Sequence, residues 1–239
     1  MDSEDVKQTV KWDSEKLREF WEFEYKVRQS HFFSGVYTKP VSRLIRKQIG
    51  KNRERILDLG CGNGDMVRSL AKYYPSVSGA DIPSSKLEEL KSHSTSRVQF
   101  YSNDELDDLD MSFDAITSIE IIEHLSDSEM ETHIDQIKKL LKPDGVAFIS
   151  VPNSEDLEVS FMRCPDCGTV FHKVQHMQSW TSERLKSYLQ SRGFEVIKIG
   201  TTNFGLELHF GIWSLFVIQA LKLMNRKMPN LYIIGKISS

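Results

Sequence analysis

Three groups of residues in this chain combine side-chain types and spacings that can do chemistry. The first is Asp58-Leu-Gly-Cys-Gly-Asn-Gly-Asp65. It follows a short apolar run and opens a stretch of helical character, the context a nucleotide-binding loop requires. Gly60, Gly62 and Gly64 let the backbone approach a ligand closely and take positive φ where needed. Asp81, with Ile82 beside it, ends the next apolar run, where an acid can accept hydrogen bonds from ribose hydroxyls. The glycine spacing is G-x-G-x-G rather than G-x-G-x-x-G. Asp58 and Asp65 flank the loop, and a helix opened by an acid repels a pyrophosphate. Two carboxylates suit a ligand that carries an ammonium and a sulfonium but no phosphate.

The second group is Glu120, Glu123 and His124. If the chain turns into a helix there, the i, i+3, i+4 spacing sets all three on one face. Such a face can hold a divalent cation (magnesium, manganese or zinc), or Glu123 and His124 can act as catalytic acid and base. A plainer reading has Glu120 line the ligand pocket and His124 satisfied by ordinary hydrogen bonds. The third group is Cys164-x2-Cys167-x4-His172-x3-His176. Pro165 and Gly168 around the thiols suit a structural zinc knuckle. The alternatives are two unpaired thiols in a loop, or a redox pair that lacks a thioredoxin-like setting.

An alternating series of elements must position these groups. Strands are expected at 55–59, 77–80, 98–101, 113–119, 146–151, 194–199 and 231–236. Helices are expected at 65–74, 84–92, 128–141, 181–192 and, in a mostly apolar stretch, 206–224. The helix before the fifth strand is expected to stop at Lys142-Pro143-Asp144-Gly145, and the last strand to form an antiparallel edge. Strands alternating with helices imply right-handed crossovers and a mostly parallel sheet. The expected class is α/β: a Rossmann-like, seven-stranded sheet with helices on both faces. Helices at 13–29 and 40–48 form an N-terminal cap over residues 1–50, ahead of a domain spanning 51–239. Residues 154–180 form an insert after the fifth strand.

The chain has 239 residues, 39% of them apolar, which suits one domain with a sizeable core. A net charge of -3 lacks the overall basic footprint of a nucleic-acid binder. Three cysteines argue against a disulfide framework, and the polar start, Met1 to Thr9, is not a signal peptide. A cytoplasmic location follows as an expectation. Residues 212–224 are shorter than the roughly 20 a spanning helix needs. With Arg226 and Lys227 behind them they could lie on a membrane surface, although packing against the sheet is the plainer expectation.

From Ile56 to Asn153 the chain resembles the class I S-adenosylmethionine-dependent methyltransferases. The resemblance rests on ILDLGCGNGD, VSGAD, Ser102-Asn-Asp104, FDAITSIEIIEHL and LLKPDGVAFISVPN. It implies that the glycine loop holds the methionyl part of the cofactor, that Asp81 holds the ribose, and that Asp104, with Asn103 beside it, meets the adenine. The E-x-x-E-H element also resembles quinone-biosynthesis O-methyltransferases. Together with His176 ahead of Trp180-Thr181 it resembles the small-RNA 3′-terminal ribose 2′-O-methyltransferases. That likeness implies Glu120, Glu123, His124 and His176 as four ligands of a catalytic cation, in competition with a zinc site for His176. The CPxCG insert resembles bacterial methyltransferases of glycan and envelope pathways. The expected activity is metal-assisted methyl transfer to a hydroxyl of a sugar-like or small hydroxylated acceptor, glycan and lipid-linked ones included. The alternatives are an RNA ribose 2′-O-methyltransferase and a cofactor-binding regulator without catalysis.

Overall fold

The computed structural model describes residues 9–27, 33–109 and 111–238. The first eight residues, the last two of the expected first helix and the aromatics at 31 and 32 lie outside that range. Two helices come first, α1 (Ser14–Val27) and α2 (Phe33–Ile49). Pro40 sits inside α2, and Tyr37 three residues earlier departs from helical geometry (φ -104°, ψ 16°). A proline cannot donate to the preceding turn, so the helix kinks just ahead of it.

The alternating series follows: β1 (Arg55–Leu59), α3 (Asp65–Leu70), β2 (Ser76–Asp81), α4 (Ser85–Ser92), β3 (Val98–Ser102), β4 (Phe113–Ile119), α5 (Asp127–Leu140) and β5 (Leu141–Pro152). Next come a small hairpin, β6 (Phe161–Arg163) and β7 (Val170–His172), then α6 (Ser182–Ser191) and β8 (Phe194–Thr202). The chain ends with α7 (Phe204–Phe210), α8 (Ser214–Leu223) and β9 (Asn230–Ile237). The seven-stranded sheet has the order β3-β2-β1-β4-β5-β9-β8. The first five strands pair in parallel, and β9 runs antiparallel to both neighbours.

Side chains alternate across β1, so Ile56 faces one layer while Leu57 and Leu59 face the other. One core joins the sheet to α5 and α6 through Ile134, Ile137, Leu185 and Leu189. The other joins it to α2, α3, α4 and Phe204 through Val41, Ile45, Met66, Leu70 and Leu87. Both faces of the sheet are therefore covered, as a parallel sheet requires.

Three expectations are corrected. The strand after α5 begins at Leu141, with Lys142-Pro143-Asp144-Gly145 inside it rather than before it. A register shift between Phe113 and Ala115 absorbs the proline, and Lys142 donates to Asp114 at 2.8 Å. The last strand is interior, and β8 takes the edge. The apolar stretch expected as one helix against the sheet breaks at Gly211 (φ +53°). Its second half, α8, rests on α7 and the turn between them.

Candidate active site

A cavity of about 980 Å³ opens at the carboxyl ends of β1, β2 and β4, where ligands bind in open α/β sheets. Six carboxylates line it: Glu24, Asp58, Asp81, Glu120, Glu123 and Glu129. Arg18 is the one Lys or Arg among the described lining residues. The ionised members of this lining attract cations and repel phosphates.

At one end lies the glycine loop. Gly60 has φ +86°, and a Cβ there would stand 2.3 Å from the Ile121 side chain. The Gly60 and Cys61 N–H groups both donate to the Ala80 carbonyl, which folds the loop onto β2. Gly62 (φ +51°) donates its N–H to Asp81 Oδ2 at 2.6 Å, and Ile82 donates to Oδ1 at 2.8 Å. Asp58 is buried and accepts from Thr117 Oγ1 at 2.7 Å. Burial pushes Asp81 up to about 6 and Asp58 up to about 7, and the Asp81 charge adds to the rise at Asp58. Among the described residues neither acid has an ion-pair partner, so a bound cation would stabilise both in their charged form.

Gly64 (φ +72°) caps α3 and backs onto Phe100 rather than the cavity. Asp65 pairs with Arg68 at 2.7 Å, so the charge argument rests on Asp58 and Asp81. Asn103 lines the cavity with a buried, unpartnered Oδ1. Asp104 is exposed on the short helical turn that follows β3 and is not part of the lining.

At the other end the chain leaves β4 through Glu120, which has φ +54°. The following residues, Ile122–His124, form a single 3-10 turn, not an α-helix. The expected common face is therefore absent. Glu120 accepts from Ser150 Oγ at 3.0 Å. Glu123 and His124 meet His176 instead, with ligand atoms all within 4.8 Å of one another. Three hydrogen bonds clip the insert onto this turn: Met177 and Gln178 N–H to the Glu123 carbonyl, and Gln175 Nε2 to the His124 carbonyl. Both Glu123 oxygens and His124 Nδ1 are buried with no hydrogen-bond partner. Burial, reinforced by Glu120, pushes Glu123 well above the usual carboxylate range, and Glu120 itself rises to about 8 through burial. Burial and the neighbouring His176 hold His124 well below the usual imidazole value.

A second cluster shares His176 with Glu155 and His172. Glu155 escaped the reading of the sequence because no motif surrounds it. Its Oε2 lies 2.5 Å from His176 Nδ1. Burial pushes Glu155 up, but that hydrogen bond and the imidazole charges outweigh it and hold the carboxyl below its usual range. His172 Nδ1 accepts the N–H groups of His176 (3.0 Å) and Val174 (3.4 Å). A neutral His172 ring then carries its proton on Nε2, which faces Glu155 Oε1 at 3.6 Å. His172 therefore stands beside Glu155 without a hydrogen bond to it, while Glu155 binds His176 Nδ1 and orients that ring, the arrangement that supports metal-binding imidazoles.

The Cys2His2 set does not come together. Cys164 and Cys167 sit between β6 and β7 as free thiols, with Cys167 Sγ donating to Thr169 Oγ1 at 3.1 Å. Among the described residues no group of three potential ligands includes a thiol. Both histidines turn to Glu155 because backbone donors already hold the His172 ring. The α1 helix covers this end, with Trp21 edge-on to His124 at 4.9 Å between ring centres.

Residues 29–199 match a family model described as a methyltransferase domain. The chain is 30% identical over 146 residues to a ubiquinone biosynthesis O-methyltransferase of Coxiella burnetii, covering 59% of each. It is 33% identical over 104 residues to the Bartonella bacilliformis enzyme of that name, covering 41% of each. The chain thus spans 59% or less of the length of these two curated relatives. A Burkholderia thailandensis 1,6-didemethyltoxoflavin-N1-methyltransferase, solved with S-adenosylhomocysteine and 1,6-didemethyltoxoflavin, superposes with TM-score 0.68 at 17% identity, covering 98% of this chain and 94% of that one. A Clostridium acetobutylicum S-adenosylmethionine-dependent methyltransferase superposes with TM-score 0.59 at 15% identity, covering 94% and 100%. At such identities the likeness is one of fold.

Proposed function

The chain belongs to the methyltransferase domain family, and from that premise we propose that it methylates a hydroxyl of a small hydroxylated or sugar-like acceptor. The donor is S-adenosylmethionine, and Glu123, His124 and His176 hold a divalent cation. One observation carries the reading. A cavity lined by six carboxylates ends in a buried Glu123 whose oxygens have no partner, beside two imidazoles. A buried carboxylate without a donor is costly, and a cation shared with two nitrogens removes that cost.

The residues fit both groups. When bound, S-adenosylmethionine supplies an electrophilic methyl group and the cation supplies Lewis acidity toward an acceptor oxygen. Asp81 and the loop N–H groups orient the ribose, while Asp58 lies within reach of the ammonium end. Asn103 Oδ1 is a free acceptor for an exocyclic amine. Glu123, His124 and His176 fix the acceptor hydroxyl and favour its ionised form. Trp21, Phe20 and Tyr25 wall the cavity and exclude water from the oxygen that attacks. The curated relatives are named as O-methyltransferases, which supports oxygen as the accepting atom. The acidic lining disfavours a polyanionic RNA acceptor.

The test is transfer of labelled methyl groups to fractionated cell extract, with chelated protein resupplied with magnesium, manganese or zinc. The reading expects label in the small-molecule, glycan or lipid fraction, and restoration by one of these cations. Label confined to RNA would sink the acceptor class. Full activity after chelation would sink the cation.

A further inference from the structure

Between Leu208 and Met224 the chain exposes Leu208, Phe210, Trp213, Leu215, Phe216, Val217, Leu223 and Met224. Trp213 and Phe216 are each 70% exposed, and Leu223 is 77% exposed. Single exposed apolar side chains are ordinary, but eight within seventeen residues expose more apolar surface than one segment of a soluble protein ordinarily leaves bare. The segment is a built element. Ser214 and Ile218 anchor α8 inward, and Trp213 and Phe216 pack against each other at 6.0 Å between ring centres.

Charge decides what covers this face. All 34 acidic residues of the chain lie at or before Glu207. Lys222, Arg226 and Lys227 follow with no carboxylate after them, in a protein whose net charge is -3. Lys222 and Lys227 each give one donor to a backbone carbonyl (Thr201 and Ser154), and Glu207 lies near Lys222. Yet three exposed cations against one buried acid leave this edge net positive. Apolar side chains with such an edge match an anionic lipid surface, where acyl chains receive the rings and headgroups receive the cations. The face is also continuous with the rim of the cavity. Asn203, Gly205 and Asn230 line the cavity where α7 begins. Phe204, the first residue of α7, packs on Phe33 at 5.7 Å between ring centres.

We propose that α7, the turn at Gly211–Trp213 and α8 dock this protein on an anionic membrane surface, so that the cavity rim lies against the lipid and receives an acceptor from it. The docking is peripheral, since no described helix is long and apolar enough to cross a bilayer.

The test is flotation of the full chain with vesicles of phosphatidylcholine alone and of phosphatidylcholine mixed with phosphatidylglycerol. Binding is expected to the mixed vesicles, with a blue shift of tryptophan emission and quenching by brominated lipid. Trp213→Phe should keep the binding and lose most of the emission change. Trp213→Ser with Phe216→Ser should lose the binding without changing cofactor affinity or melting temperature. Lys222→Gln, Arg226→Gln and Lys227→Gln together should weaken binding on the order of tenfold to a hundredfold at low salt. Absence of binding to mixed vesicles, or binding that survives the double serine variant, overturns the proposal. So does a dimer in light scattering that the double serine variant converts to a monomer, since a second copy would then own the face.

Discussion

The two ends of the cavity treat their buried acids in opposite ways. At the glycine loop, Asp81 receives the Gly62 and Ile82 N–H groups and Asp58 receives Thr117 Oγ1. Those donors offset part of a burial that still raises Asp81 to about 6 and Asp58 to about 7. At the far end Glu123 receives no side-chain donor, and burial with the neighbouring Glu120 pushes it well above the usual carboxylate range. The first end is organised for charged carboxylates before any ligand arrives. The second completes its electrostatics only when a cation does. Cofactor binding and cation binding should therefore be separable by mutation.

Glu123→Gln gives the sharpest separation. It keeps the side-chain volume and removes the charge, so cation binding measured by calorimetry should vanish. The cation-supported rate should fall about 1000-fold, the several kcal/mol that a Lewis acid contributes, while cofactor affinity stays within about twofold. Equal losses of cofactor and cation binding would show one coupled site. Gly60→Ala probes the other end. Its Cβ would meet Ile121 from a backbone at φ +86°, so cofactor affinity should drop on the order of 100-fold from strain and overpacking. Cation binding should persist.

Glu155→Gln should weaken cation affinity roughly tenfold, the usual cost of losing a carboxylate behind a metal-binding imidazole. The cofactor dissociation constant should not move. A pH titration of cofactor binding between pH 5 and pH 7.5 reads mainly the glycine-loop acids, below the range of Glu120 at about 8. A cationic ligand prefers ionised Asp58 and Asp81, whose carboxyls titrate at about 7 and about 6 in the free protein. Affinity should therefore rise with pH through that window and level off above it. From pH 7.5 to pH 6 it should fall about fifteenfold, because Asp58 becomes mostly protonated and Asp81 half protonated. A flat profile would place the cation of the cofactor away from both acids.

Most of the glycine-loop geometry was legible because it is local. A strand, a glycine turn and an acid at the next strand end are contiguous patterns, and the backbone requirement at Gly60 is written in its residue type. The far end, where the cation is proposed, was legible only in part, because two segments meet there. Glu120 fits the helical spacing, yet the 3-10 turn after a positive φ directs it to Ser150. His176 was named through resemblance, while Glu155 carries no pattern and becomes visible only when the insert folds back onto the turn at Glu123 and His124. The Cys-x-x-Cys spacing suggested zinc, but spacing cannot report that backbone N–H groups occupy His172 Nδ1. The last strand read correctly as an antiparallel strand, and its interior place depended on a long-range pairing with β8.

The weakest expected effect concerns Asp104, and it discriminates between motif placement and geometry. Resemblance sets an acid after the third strand against the adenine. In the structure Asp104 is exposed on the outer side of the turn, whereas Asn103 lines the cavity with an unpartnered oxygen. An exposed carboxylate interacts with a ligand through water and salt, which leaves it little leverage. Asp104→Ala should therefore change cofactor affinity by less than about twofold. Asn103→Ala, which removes a buried acceptor aimed at the ligand, should cost about tenfold, the scale of one hydrogen bond in a closed site. If the two substitutions exchange these effects in a binding titration, the turn after β3 rearranges around the adenine. The cofactor end would then share with the cation end the property of completing itself only on binding.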